Sequence, residues 1–202
     1  MSPPEWAGSC DTMMDVTNTP GSGIPRTAPA LFVMVGLPAS GKTTRAKQIE
    51  QQHRALRLTP DEWMIPLFGD NDANGKRNVL EGRFIWLALR ALHSGVDVVL
   101  DFGVWSKVER TALRALAASV GATCELVYLE IDEERQRQWR DRRALEEPST
   151  TFHISDVDLG QYRRGFEPPD AADLAGADLD APPVDFTSWT SWAARWWPTS
   201  ME

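Results

Sequence analysis

The stretch GLPASGKTT at residues 36–44 decides the fold, because it fits the phosphate-binding pattern G-x-x-x-x-G-K-[ST] without a mismatch. Residues 30–35 (ALFVMV) precede it as an apolar run typical of a buried parallel strand. Residues 44–50 follow it and predict a helix. The alternative, a glycine turn with a chance lysine, is disfavoured by these complete flanks. The stretch therefore predicts a nucleoside triphosphate site.

Each residue type in this loop has a physical role. Gly36 and Gly41 allow backbone conformations in which successive N–H groups turn toward one anion. The helix that follows adds the positive end of its dipole. Lys42 is predicted to reach the β- and γ-phosphates, and the Thr43 hydroxyl is placed to ligate Mg²⁺. The predicted nucleotide-binding residues are Gly36, Pro38, Ala39, Ser40, Gly41, Lys42, Thr43 and Thr44.

Composition restricts the class of protein. A chain of 202 residues with 42% hydrophobic residues suits one domain with a substantial core. A net charge of −8 provides no general basic surface for nucleic acid or anionic membranes, although a local basic groove stays open. The two cysteines, Cys10 and Cys124, imply no disulfide framework and favour a reducing cytoplasm. The sequence shows no apolar run near transmembrane length and no secretory signal.

The chain divides into three segments by composition. Residues 1–28 are rich in Pro, Gly, Ser and Thr and predict a disordered or loosely docked leader. Residues 29–169 alternate apolar strands with helices, which predicts a three-layer α/β domain with a mainly parallel sheet. Residues 144–156 are expected to form a small helical lid over the phosphates. Residues 170–202 form a tail rich in tryptophan.

The tail has a helical pattern. Trp189, Trp192 and Trp196 are spaced by three and four residues and share one helix face. We expect this face to dock onto the domain, and binding of a protein partner is the rarer alternative.

A carboxylate follows the second predicted strand, residues 54–59. In open parallel sheets the carboxyl ends of the strands face the ligand crevice, so Asp61 falls where an acceptor hydroxyl would meet the γ-phosphate. A carboxylate there can accept the hydroxyl proton during attack. The alternative is that Thr59 or Asp61 caps the next helix. Trp63, two residues further, is a candidate acceptor contact.

The helix predicted over residues 76–93 carries one candidate acceptor contact. Arg83 could reach an anionic group of the acceptor, although a surface salt bridge is the commoner role of a helical arginine.

The strand predicted over residues 96–101 ends in Asp101, as in the Walker B pattern. A carboxylate at this strand end holds the metal's water shell or orients the attacking hydroxyl, and capping of the next turn is the alternative. Phe102 and Trp105 follow at the expected crevice mouth. Trp105 could stack on the acceptor or cover the core.

The helix predicted over residues 132–143 is dense in arginine. Arginine suits both transition-state charge and adenine stacking. Several of these side chains are expected to pair with acidic neighbours on the same helix. The arginines concerned are Arg135, Arg137, Arg140, Arg142 and Arg143.

Taken together, these motifs resemble a family of small P-loop kinases with an AAA-type ATP-binding domain. The family includes polynucleotide 5′-hydroxyl kinases, chloramphenicol phosphotransferase and zeta-toxin-like sugar-nucleotide kinases. The resemblance covers about residues 30–169 and rests on VGLPASGKTT, LTPDEW, VVLDFG with VERTALRALA after it, WRDRR and FEPP. The first motif is highly specific for nucleotide binding, and the others gain weight from their order and spacing.

The resemblance implies roles for single residues. By its pattern, Asp61 is the general base, Lys42 and Thr43 hold phosphate and Mg²⁺, and Asp101 lies beside the metal. It also implies ATP as the nucleotide.

The same resemblance extends to the arginine-dense helix. Arg140 and Arg143 fall where lid-helix arginines of the family approach adenine and the transferring phosphoryl group, with Arg142 as the alternative. Arg110 matches a position that is often arginine, without a derivable role. Trp139 matches no motif of the family.

The sequence therefore predicts an ATP- and Mg²⁺-dependent kinase that phosphorylates a hydroxyl of a small molecule, such as a metabolite, a sugar nucleotide or an antibiotic. A polynucleotide 5′-hydroxyl kinase is the alternative, which the acidic charge disfavours. A non-kinase alternative is an ATPase or binding module regulated by a protein partner at the Trp-rich tail.

Overall fold

The structure is a computed structural model that describes residues 28–70, 73–146, 154–176 and 179–201. The predicted leader, except Ala28, and the central part of the predicted lid lie outside these residues. The strands are β1 (Ala30–Val35), β2 (Leu56–Leu58), β3 (Val98–Leu100) and β4 (Thr123–Tyr128). The helices are α1 (Lys42–His53), α2 (Pro60–Phe68), α3 (Lys76–His93), α4 (Lys107–Ser119), α5 (Glu133–Glu146), α6 (Asp156–Gly165), α7 (Ala171–Leu174) and α8 (Trp189–Trp196).

The four strands form one parallel sheet in the order β2-β3-β1-β4. In the register, Leu31 lies beside Val98 on one side and beside Cys124 on the other. Because every strand runs in the same direction, the chain segments that leave β1, β2 and β3 emerge at one edge of the sheet. The predicted parallel α/β fold is confirmed.

Side chains of β1 alternate between two layers of core. Leu31 and Val33 pack into the larger cluster, which receives α3, α4 and α8. Phe32 and Met34 point to the other face, where Ala46 of α1 completes a smaller cluster. This period-two alternation gives the three layers that the sequence predicts.

The C-terminal helix α8 packs against α4, with Trp192 and Trp197 buried in the larger cluster. Trp196, however, is 55% exposed, so the expectation that it shares the inward face is wrong. The helix ends at Trp196, and Trp197 leaves the helical conformation with φ −117° and ψ 84°. Its ring therefore enters the core in place of the ring of Trp196.

A buried arginine joins α4 to the segment after α6. Arg110 is 1% exposed, and its Nε lies 2.7 Å from Oδ2 of Asp173. Its Nη1 donates to the carbonyls of Trp105 and Glu167. The position that sequence reasoning left without a role thus holds the C-terminal part of the domain in place.

Among the described helices, none combines the length and apolar character needed to cross a membrane.

Candidate active site

The loop between β1 and α1 adopts the strained backbone that its glycines permit. Gly36 has φ 145° and Gly41 has φ 89°, and Ala39 between them has φ 60°. A Cβ on Gly36 would lie 2.7 Å from the carbonyl oxygen of Leu129, so no side chain fits there. The loop therefore wraps tightly around the end of β1, with its backbone N–H groups ahead of helix α1.

Two features of this loop fit a bound phosphate chain. Helix α1 begins at Lys42 with no side chain capping its first turn, so its N–H groups are available to an anion. The hydroxyl of Ser40 is buried and has no hydrogen-bond partner among the described residues. The loop thus offers donors that a nucleotide would satisfy.

Lys42 lies at the centre of the site. Its Nζ donates to the carbonyl of Leu37 at 2.7 Å. Burial lowers the pKa of Lys42 to about 8, while the charges of Asp101 and Asp61 oppose this shift and that of Arg143 adds to it. All three predicted charged groups therefore lie close enough to act on Lys42.

Asp101, just after the end of β3, lies near Thr43 of α1. The Asp101 carboxylate is buried, and it accepts a hydrogen bond from Nη1 of Arg57 at 3.1 Å. Burial raises the pKa of Asp101, and the neighbouring charges of Arg57 and Lys42 oppose that rise. A hydroxyl beside a carboxylate is a hard oxygen pair that suits Mg²⁺, which usually keeps several waters and binds phosphate as well. The residues present therefore fit the cation.

Arg57 of β2 is a site residue that sequence reasoning missed. Its side chain is 7% exposed and contacts three carboxylates, those of Glu50, Glu62 and Asp101. The guanidinium thus fixes the buried Asp101 between α1 and α2. An arginine inside a short apolar strand that runs parallel to the Asp101 strand was the available signal.

Asp61 lies in the first turn of α2 and is paired with a residue that the sequence did not single out. Arg77 of α3 donates from Nη2 to Oδ1 of Asp61 at 2.9 Å, and from Nε to Oε1 of Glu81 at 3.0 Å. Helix α3 therefore contacts Asp61 through Arg77.

The surroundings of Arg83 do not support its expected role as an acceptor contact. It is exposed, and its guanidinium lies 5.6 Å from the ring centre of Trp86 on its own helix. It lies two positions after Glu81, which turns it by about 200° around the helix axis. It therefore lies on the face of α3 that points away from Asp61.

The three aromatic candidates differ in their surroundings. Trp63 is 46% exposed and contacts the ring of Phe84 edge-on, with centroids 5.3 Å apart. Trp105 is partly buried against Tyr162. Phe102 is 3% exposed and packs in the larger core cluster, so it is not available to a substrate. The Phe102 ring instead contributes to the hydrophobic core.

Helix α5 covers the phosphate loop with two residues that lie about one turn apart. The Nε2 of the buried Gln136 donates to the carbonyl of Pro38 at 2.8 Å. The ring of Trp139 comes within 3.2 Å of the place that a Cβ on Gly41 would occupy. Neither contact was predicted from the sequence. They place Trp139 beside the start of α1.

The two lid arginines differ in position. Arg143 lies near enough to Lys42 for its charge to lower the pKa of the lysine. Arg140 instead pairs with Asp156 of α6 at 2.6 Å and with its neighbour Asp141 at 2.7 Å. The predicted role of Arg140 beside adenine is therefore not supported, because its guanidinium joins α5 to α6.

The parallel sheet, the phosphate loop and the carboxylates at neighbouring strand ends define a P-loop nucleotide-binding domain with a kinase-like fold. The chain belongs to the AAA domain family, whose match covers residues 31–169. The resemblance that the motifs indicate is thus confirmed. A comparison with curated protein sequences found no match.

Solved structures with the same fold include several kinases. A candidate kinase from Chloroflexus aurantiacus superposes with a TM-score of 0.54 at 18% identity, over 78% of this chain and 84% of that one. A sugar kinase from Janibacter sp. gives 0.51 at 15% identity, over 87% and 98%. A chain of the Pnkp1/Rnl/Hen1 RNA repair complex gives 0.53 at 19% identity, over 68% of this chain but only 43% of that one.

Proposed function

We propose that this protein is a kinase that transfers the γ-phosphoryl group of ATP, with Mg²⁺, to a hydroxyl group of a small molecule. The observation that carries this proposal is the position of Lys42, which lies within electrostatic range of Asp61, Asp101 and Arg143. The residues proposed as phosphate-binding lysine, base, metal-side carboxylate and lid arginine thus lie near one another.

Asp61 acts as the base in this proposal. Its carboxylate takes the proton of the acceptor hydroxyl while that oxygen attacks the γ-phosphorus. The bond from the γ-phosphorus to the bridging oxygen breaks, and ADP leaves. Lys42, the loop N–H groups and Arg143 stabilise the negative charge on the phosphoryl oxygens.

Thr43 and Asp101 would hold the magnesium ion, Thr43 through its hydroxyl and Asp101 through its carboxylate or a bound water. When bound, Mg²⁺ neutralises charge on the β- and γ-phosphates. Trp139 is proposed to contact the base of the nucleotide, because its partly exposed ring lies beside Gly41 at the start of α1.

A small acceptor is supported by the charge and by the crevice residues. The net charge of −8 opposes a polynucleotide, and the partly exposed rings of Trp63 and Trp105 are proposed to contact a sugar or an aromatic group of the acceptor. The sugar kinase of the same fold is in keeping with this class of acceptor. A polynucleotide acceptor is the alternative, and a cytoplasmic location remains part of the proposal.

The test is transfer of label from γ-labelled ATP in the presence of Mg²⁺. One panel contains glucose, gluconate, a UDP-linked amino sugar and chloramphenicol, and a second contains 5′-hydroxyl oligonucleotides. Label is expected on a compound of the first panel, and Asp61→Asn should lose most transfer while still binding ATP. Label on oligonucleotides would favour the alternative. Phosphate release alone, unchanged by Asp61→Asn, would contradict the kinase and favour a partner-regulated ATPase.

A further inference from the structure

A chain of charges on α2 and α3 ends at the proposed base. The guanidinium of Arg77 contacts Asp61 through Nη2 and Glu81 through Nε, so one planar group spans both carboxylates. The Asp61 side chain is 41% exposed, whereas that of Glu81 is 16% exposed. Arg77 therefore connects an accessible carboxylate to a fixed and more buried one.

The Glu81 carboxylate anchors the Arg77 guanidinium. The two residues are four positions apart on α3, where side chains face each other. Burial raises the pKa of Glu81 to about 7, Arg77 opposes that rise, and the charges of Glu109 and Asp61 add to it. A buried carboxylate needs a cation nearby to remain ionised, so Glu81 and Arg77 constrain each other.

Helix α3 is itself held on two sides. Phe84 contacts Trp63 of α2, which keeps the two helices in register beside Asp61. On its other side α3 packs against the C-terminal segment, where Thr199 donates to the carbonyl of Val79 at 3.0 Å. Arg77 thus projects from a helix that is packed on two sides, while the Asp61 side chain is 41% exposed.

Resting on the proposed kinase function, we propose that Arg77 is a positioning residue for phosphoryl transfer. Anchored by Glu81, it orients the Asp61 carboxylate toward the acceptor hydroxyl. Without it the exposed Asp61 side chain samples several rotamers, and the reacting oxygens lose the alignment that transfer requires. A planar guanidinium suits this task because it contacts two carboxylates with fixed geometry, which a lysine cannot do.

The first test compares steady-state constants of Arg77 variants, using the panel compound that the wild type labels best. Arg77→Gln is expected to lower kcat about 10- to 100-fold and to leave the KM for ATP within about twofold. Arg77→Lys should recover part of the loss. Arg90→Gln is the matched control, because Arg90 is exposed on the same helix and lies over Trp86, and it should retain wild-type kcat.

The second test is a double-mutant cycle with Asp61→Asn. If Arg77 acts through Asp61, adding Arg77→Gln to Asp61→Asn should lower kcat no further. If the kcat losses of the two single variants multiply in the double variant, the proposal is overturned. A raised KM for the acceptor at unchanged kcat would also overturn it, because Arg77 would then bind the acceptor itself. If kcat falls together with the melting temperature and Arg77→Lys rescues neither, Arg77 has only a structural role.

The two proposals fail in different ways. If the wild type transfers no label to any compound, the kinase function and the role of Arg77 are both overturned. If the wild type transfers label through Asp61 but the cycle is additive, only the role of Arg77 is overturned.

Discussion

The guanidinium of Arg57 on β2 donates from Nη1 to Oδ2 of Asp101 at 3.1 Å, which fixes this carboxylate just after the end of β3. Because Asp101 and Thr43 form the proposed magnesium site, Asp101→Asn should raise the Mg²⁺ concentration for half-maximal turnover about tenfold or more. Binding of ATP without Mg²⁺ should change little. The measurement is a Mg²⁺ titration of label transfer.

Asp97→Asn provides a matched control for this titration. Asp97 precedes β3 and accepts a hydrogen bond from the Ala30 N–H at 2.9 Å, which an asparagine oxygen can also accept. An equal Mg²⁺ shift in both variants would contradict the assignment of Asp101.

Trp139→Leu should weaken ATP binding. Stacking of a base on an aromatic side chain contributes about 1 to 3 kcal/mol, so the Kd should rise about 5- to 150-fold. The change in tryptophan fluorescence on ATP binding should also diminish. Trp196→Leu is the control, since Trp196 is largely exposed at the end of α8. An unchanged Kd in Trp139→Leu would remove Trp139 from the nucleotide site.

The raised pKa of Glu81 implies that the stability of the fold depends on pH. Its pKa is raised from 4.5 to about 7, so the folded state binds the proton more tightly than the unfolded state. Its stabilising contribution is therefore present below pH 4.5 and is lost as the pH rises through 7. A difference of about 2.5 pKa units corresponds to at most about 3 kcal/mol.

Urea unfolding of wild type and Glu81→Gln between pH 4.5 and 8 measures this effect. The free energy of unfolding should fall more steeply with pH in the wild type than in the variant. Parallel pH profiles would show that Glu81 titrates normally in the folded state. The exposed Glu133→Gln is the control and should leave the wild-type slope unchanged.

Gly82 on α3 is expected to tolerate no side chain. A Cβ there would lie 1.9 Å from the carbonyl oxygen of Pro198, so the C-terminal segment would have to move. Gly82→Ala should therefore lower the free energy of unfolding by about 3 kcal/mol. Among the described residues, a Cβ on Gly160 inside α6 would meet only the end of Arg164 at 3.5 Å, so Gly160→Ala should stabilise by about 0.5 to 1 kcal/mol. Urea unfolding of both variants checks that the free energy of unfolding falls in Gly82→Ala and rises in Gly160→Ala.

The elements that the sequence predicted well are those with local signals. The phosphate loop is a contiguous pattern, so its flanking strand and helix follow from neighbours in the chain. The position of Asp101 at a strand end could be predicted for the same reason, because a continuous apolar run marks its strand. Burial of Phe102 was not predicted, since a residue just after a strand end can face either the crevice or the core.

The contacts that sequence reasoning missed are those between residues that are distant in the chain. Arg77 lies 16 residues from Asp61, Gln136 lies 98 residues from Pro38, and Arg110 lies 63 residues from Asp173. No local pattern marks such residues, because their position depends on how the helices pack on the sheet.

The sequence by itself determined the class of fold and the chemistry of the phosphate loop, because glycine freedom, apolar runs and helix starts are properties of short segments. Only the tertiary structure decided which arginine pairs with which carboxylate. Arg77 contacts Asp61, whereas Arg140 pairs with Asp156 of α6. Neighbouring positions on a helix differ by about 100°, so helix rotation and packing, which a single sequence does not specify, select the residue that reaches the site.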